Sequence, residues 1–166
     1  MVIFLLGVAG GVGAAKLKAT SALYAGKTPA DAAAALLEAA EPFTEGGSWE
    51  TIFVARVRYL SGDTQGGDAI FNSILGRRKA EAGDFVRVGR VYREAGEWEK
   101  ARAMFEQVLA MQPEDADWLA EIGAYYNLEG DRARAEQLFA RSLAEDPANS
   151  YNIAKMAGSY IGVIPD

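Results

Sequence analysis

Two features of this 166-residue chain could do chemistry. The first is a glycine-rich stretch near the start. Val2, Ile3, Phe4, Leu5 and Leu6 read as a strand, and Gly7, Gly10, Gly11 and Gly13 as the turn after it. The backbone N–H groups of such a turn can cradle phosphate. A phosphate loop closes on Gly-Lys-Ser/Thr, however, and here Ala14 and Ala15 follow Gly13. Gly26-Lys27-Thr28 has the required ending, but Ser21 stands where its leading glycine belongs and no βαβ pattern follows. Small residues for close packing account for the stretch better than a nucleotide does. The second feature is a set of arginine and aromatic side chains, among them Trp49, Arg56, Tyr59, Arg90, Arg93 and Tyr151. Residues of these types are the usual anchors of a protein interface.

Histidine and cysteine are absent from the chain. This excludes Ser-His-Asp triads, thiol nucleophiles, CxxC redox pairs and zinc sites built from Cys or His. It also excludes the side chain most used for acid–base work near neutral pH. No enzyme activity, cofactor or metal is expected. A formal charge of −6 argues against unspecific nucleic-acid binding.

The elements that would position the arginines follow from a period. Phe85, Val88, Gly89, Tyr92, Gly96, Ala101, Phe105 and Pro113 recur thirty-four places later as Leu119, Ile122, Gly123, Tyr126, Gly130, Ala135, Phe139 and Pro147. Phe85, Val88, Val91 and Tyr92 fall on one stripe of a helix. Gly89 sits on that stripe where a neighbouring helix must come close. Gly96 suits a left-handed helix end. Glu97 then opens a second helix whose stripe is Ala101, Met104, Phe105 and Val108, which Pro113 stops. Asp115 is a plausible cap for the next unit. The order and spacing resemble the tetratricopeptide repeat (TPR). That resemblance implies an all-α solenoid of antiparallel helix pairs, a right-handed superhelix in which each unit buries its stripe only against its neighbours.

The same frame divides the rest of the chain. Residues 82–115 and 116–149 are the two clear units. Residues 48–81 read as a divergent unit in which Thr51, Arg58 and Lys79 depart from the pattern, and Gly66-Gly67 costs about 1 kcal/mol per glycine in helix propensity. Residues 14–47 read as a further divergent unit, with Leu17, Thr20, Ser21 and Tyr24 on a first helix, a turn at Gly26-Lys27-Thr28-Pro29, and Ala33 and Leu37 on a second. Residues 150–166 read as a capping helix whose columns are Ile153, Met156, Ala157 and Tyr160, with Asn149 as cap and Pro165 as stop. Trp98 and Trp118 read as packing residues. The uncharged start, residues 1–13, admits three readings: a signal remnant, a short membrane anchor flanked by Lys16 and Lys18, or a packing segment. As a helix, residues 1–15 would rise about 22 Å, less than the ~30 Å hydrocarbon core. This start favours an extracytoplasmic or membrane-associated setting over a cytoplasmic one.

In the family that the chain resembles, first helices line a groove that takes a peptide or helix of another protein. Carried onto this chain, those columns hold Lys18, Trp49, Ile52, Arg56, Tyr59, Val86, Arg90, Arg93, Asn127 and Tyr151. They imply a basic and aromatic groove for a segment with carboxylates and apolar residues. Alternatively, Arg56, Arg90 and Arg93 are solvated and pair with glutamates such as Glu94. The clamp that some members close on acidic chaperone termini needs a lysine and asparagines, where this chain has Val86, Ala124, Ala154 and Gly158. A chaperone partner is therefore not expected. The expected function is a non-enzymatic scaffold or assembly factor. The alternatives are a structural accessory subunit of a membrane-associated complex and, less favoured, a phosphate binder through the glycine-rich start.

Overall fold

The computed structural model describes residues 18–165. The glycine-rich turn and the apolar segment of residues 1–13, with Leu17, lie outside them. Among the described residues the secondary structure is helical, with no strand. The chain divides into two units, Met1–Phe43 and Thr44–Asp166.

In the first unit the described residues hold a 3-10 turn, Ser21–Leu23, helix α1, Pro29–Ala40, and most of a second 3-10 turn, Glu41–Thr44. Thr28 caps α1, its hydroxyl oxygen accepting from the Asp31 N–H at 3.2 Å, and Pro29 occupies the first turn, where its missing N–H costs nothing. The helix expected to run through Tyr24 is not formed among the described residues. Thr20 is extended, Gly26 turns the chain at φ +73°, and no side chain of the 3-10 turn is buried, so nothing offsets the cost of nucleating a helix. The hydroxyl of Thr28 also donates to Asp31 at 2.8 Å, which commits it to the helix cap.

The second unit is three helical hairpins and a closing helix. The hairpins are α2 (Ser48–Leu60) with α3 (Thr64–Leu75), α4 (Ala82–Glu94) with α5 (Trp98–Met111), and α6 (Ala116–Leu128) with α7 (Arg132–Glu145). Helix α8 (Ser150–Ser159) lies along α6, as α2 lies along α4. Gly62, Gly96 and Gly130 turn the three hairpins with φ of +105°, +78° and +90°. Asp63, Asp115, Asp131 and Asn149 cap the helices that follow them with side-chain oxygens.

The closest approach within a hairpin is a glycine against a phenylalanine. A Cβ on Gly89 would stand 2.6 Å from Phe105 Cε1, and one on Gly123 would stand 2.7 Å from Phe139 Cε1. Helix α3 uses the same device at a different place: a Cβ on Gly67 would meet the Tyr59 side chain at 2.9 Å. A Cβ on Gly66, beside it, would collide with the Asp63 carboxylate that accepts the Gly66 N–H at 2.9 Å. Both glycines thus have structural reasons that outweigh their poor helix propensity. Tyr59 is 2 % exposed and packs its ring on Phe71 and Tyr92, filling the space that the pattern assigns to the neighbouring position, Arg58.

Tyrosine hydroxyls then tie each hairpin to the one before. Tyr92 donates to Asp68 at 2.8 Å and Tyr126 donates to Glu106 at 2.6 Å. Tyr59 donates forward to Glu97 at 2.6 Å, and Lys100 donates to both. The Lys100 ammonium, and next the Tyr59 hydroxyl, hold Glu97 below the usual carboxylate range. Trp98 packs edge-on to Tyr126 and tilted on Phe105, and Trp118 donates its indole N–H to Gln112 at 2.7 Å. Both tryptophans are half-buried packing residues, as expected.

The closing helix departs from its expected columns. Asn152, Met156 and Ser159 are its buried residues, while Ile153, Ala157 and Tyr160 are exposed. Asn152 is drawn inward by Asp117, to which it donates at 2.9 Å. Nor does Pro165 stop the helix. It ends at Ser159, where Gly162 adopts φ +82° and the Val163 N–H closes on the Gly158 carbonyl at 2.9 Å.

Two outcomes test this packing. In urea denaturation Phe105→Ala costs about 3–5 kcal/mol. Gly89→Ala also destabilises, although alanine is the better helix former by about 1 kcal/mol. Combined, the two changes cost less than their sum, because the lost ring vacates the space the new methyl takes. In an acid titration of stability, a carboxylate with a lowered folded pKa contributes above its unfolded value and loses that contribution as pH falls through the lowered one. Glu97→Gln therefore shows a shallower loss of stability than the wild type as pH falls below about 4.3.

Candidate functional site

Helix α2 carries Trp49, Ile52, Phe53 and Arg56 at steps of three and four residues, so they share one face. On α4, Arg87, Arg90, Val91 and Glu94 share a face for the same reason. These faces bound a groove whose further wall comes from Tyr125 of α6 and from Ile164, which the turn at Gly162 brings back toward the hairpins. The space in this open groove is about 860 Å³. Trp49 and Phe53 are each 63 % exposed there.

A substitution within one column shapes this space. Tyr125 stands thirty-four places after Val91, and its ring lies flat on Phe105 with centroids 4.9 Å apart. The backbones of α4 and α6 approach each other less than those of α2 and α4 do. Helices α4 and α6 meet instead through side chains. Arg90 Nε donates to Glu121 at 3.0 Å, and Lys155 of α8 reaches the other oxygen of the same carboxylate at 3.1 Å. Glu121 is 3 % exposed, so one buried carboxylate is held by a cation from each neighbouring helix.

The other groove arginines are also engaged. Arg56 gives Nε to Glu94 Oε2 at 2.7 Å. Arg93 Nε lies 2.9 Å from Glu129 Oε1, an ion pair without hydrogen-bond alignment, and its guanidinium is 5.3 Å from the Tyr125 ring. Arg87 lies over Trp49 with Cζ 3.4 Å from the ring centroid and donates Nη1 to the Gly83 carbonyl at 2.8 Å. Burial lowers the Arg87 pKa from its ordinary value; Asp84 opposes that shift and Arg90 adds to it.

Of the ten residues expected at a groove, the structure brings together Trp49, Ile52, Arg56, Arg90 and Arg93. Tyr59 and Val86 do not line it. Both are core, because the tyrosine fills the first hairpin and the valine faces the α4 interior. Asn127 donates to Ser159 at 2.9 Å, which turns it toward α8. Tyr151 is 80 % exposed and outside the groove wall, and Lys18 is an exposed residue of the first unit. Sequence reasoning missed Phe53, Arg87, Tyr125 and Ile164. Phe53 and Arg87 share a column and are each one helical turn from a residue that was expected, a signal that was present. Ile164 depends on a turn beyond the last helix and had none. Among the described residues no group of three or more acidic side chains could hold a metal ion, and no helix is long and apolar enough to cross a membrane.

The buried carboxylate gives a further expected outcome. Arg90→Ala or Lys155→Ala alone leaves Glu121 one cation, whereas the double variant leaves it none. In urea denaturation the double variant therefore loses about 1 kcal/mol or more beyond the sum of the singles.

Comparison with known proteins bears on the same helices. Residues 87–150, which run from within α4 to the start of α8, match the family model described as tetratricopeptide repeat. No curated protein matches the chain. Repeats of this family generally mediate protein–protein interaction or scaffolding, and the proteins that carry them are typically non-enzymatic. The thirty-four-residue columns, the helix pairs that stack on them and this match together identify residues 87–150 as tetratricopeptide repeats.

Proposed function

We propose that the protein is a non-enzymatic scaffold or assembly factor that holds a segment of a partner protein in the groove between α2, α4 and α6. The observation that carries this reading is the pair Trp49 and Phe53, two large aromatic side chains exposed over a space of about 860 Å³. Exposed apolar surface of this kind costs solubility unless a partner covers it. Aromatic anchors beside arginines supply most of the energy at protein interfaces. The groove is less basic than the sequence implied, since Glu94, Glu121 and Glu129 neutralise three of its arginines. Apolar contact then contributes most of the affinity, and charge supplies register.

A second reading, a structural accessory subunit, is favoured by the exposed face of α8 and the residues after it. Tyr151 and Ile161 are each 80 % exposed, with Ile153 and Tyr160 near them in sequence and about half exposed. On that reading the protein is held permanently through this end rather than through the groove.

A displayed library of random peptides with fused C-termini separates the two. Selection on the wild-type protein is expected to yield peptides whose affinity falls about tenfold or more on Trp49→Ala/Phe53→Ala, with circular dichroism unchanged. Peptides indifferent to that variant but lost on Tyr151→Ala/Ile161→Ala would move the binding surface to α8 and overturn the groove.

A further inference from the structure

The four guanidiniums around the groove are not equivalent. Arg56, Arg90 and Arg93 each have a carboxylate of the fold as partner. Arg87 has none: among the described residues no carboxylate ion-pairs with it. It is nevertheless the best positioned of the four. The Trp49 ring supports its plane at 3.4 Å, and the Gly83 carbonyl fixes one edge at 2.8 Å. A guanidinium has five N–H donors in a rigid fork, so donors remain after Gly83 has taken one. Partial burial has already removed part of its hydration, as the lowered pKa reflects. A carboxylate arriving here gains a charge-assisted pair with a cation that needs no further ordering. Apolar walls adjoin it: Phe53 is one turn along α2 from Trp49, and Val91 one turn along α4 from Arg87, with Tyr125 beyond.

Resting on the groove reading above, we infer that Arg87, held flat on Trp49, is the carboxylate reader of the groove, and that the bound partner is a protein segment presenting an aspartate or glutamate beside a large apolar side chain. The acid enters on Arg87 and the apolar side chain lies against the exposed ring of Phe53, over the floor that Val91 and Tyr125 form. The other three arginines keep their intramolecular partners and shape the groove without reading the ligand.

The peptides selected from the fused library test this, since they offer only side-chain carboxylates. For a selected peptide measured by fluorescence polarisation, replacing its acid by the corresponding amide is expected to weaken binding to the wild-type protein about tenfold. On Arg87→Gln the same replacement changes affinity by about twofold or less, while the amide peptide binds as it does to wild type. Arg87→Lys, which keeps the charge but loses the planar stack, gives the same readout at an intermediate value should Arg87→Gln fail to fold. Selected peptides that need Trp49 and Phe53 but carry no acid, or whose preference for the acid survives Arg87→Gln, would overturn the inference and leave the groove standing. An absence of peptides that depend on Trp49 and Phe53 would remove the groove itself.

Discussion

The contact on which the second unit depends is a bare glycine pressed against a phenylalanine ring. At Gly89 and Gly123 there is no room for a Cβ, so two helices lie closer than side chains would otherwise allow, and Phe105 and Phe139 close the gap. An isolated hairpin built this way leaves the other side of its stripe wet. Stacking supplies the missing cover: Val86, Val88 and Val91 on α4 and Leu119, Ile122 and Ala124 on α6 are all removed from water by neighbours. The array is therefore a chain of mutual burial.

Polar groups set the register of that stacking. The tyrosines at Tyr92 and Tyr126 each reach a carboxylate of the preceding hairpin, and Glu121 accepts cations from α4 and α8 at once. A buried carboxylate is an expensive way to gain stability, and a hydrophobic side chain of its size would serve burial better. Its contribution here is geometric. It fixes how α4, α6 and α8 lie side by side, beside the space that α2 and α4 line.

The fold was legible because a period of thirty-four residues with Gly, Ala, Phe and Pro in fixed columns is hard to satisfy by any other arrangement. Legibility failed where a side chain moved by one position. Tyr59 was read as groove because its column holds Arg93 and Asn127 in later units, yet it is core because Gly67 makes room for it. The groove arginines were visible as types and Glu94 as one partner, but not which arginine takes it, nor Glu121 and Glu129. Arg90 finds Glu121 thirty-one residues away, and Arg56 finds Glu94 thirty-eight away, separations that only the stacked geometry specifies. At α8 the thirty-four-residue columns place Ile153 and Tyr160 inside, yet both are exposed. The inward turn of Asn152 toward Asp117 puts a polar side chain there instead.

Ile164 reaches the groove only because Gly162 reverses the chain after α8. The hairpins are constrained on every side, so a change in any of their columns disturbs several neighbours. Ile164 itself, half exposed between a buried Pro165 and a Val163 bonded to Gly158, carries little of that burden. It is a place where the preference of the groove can drift over generations while the scaffold beneath stays the same.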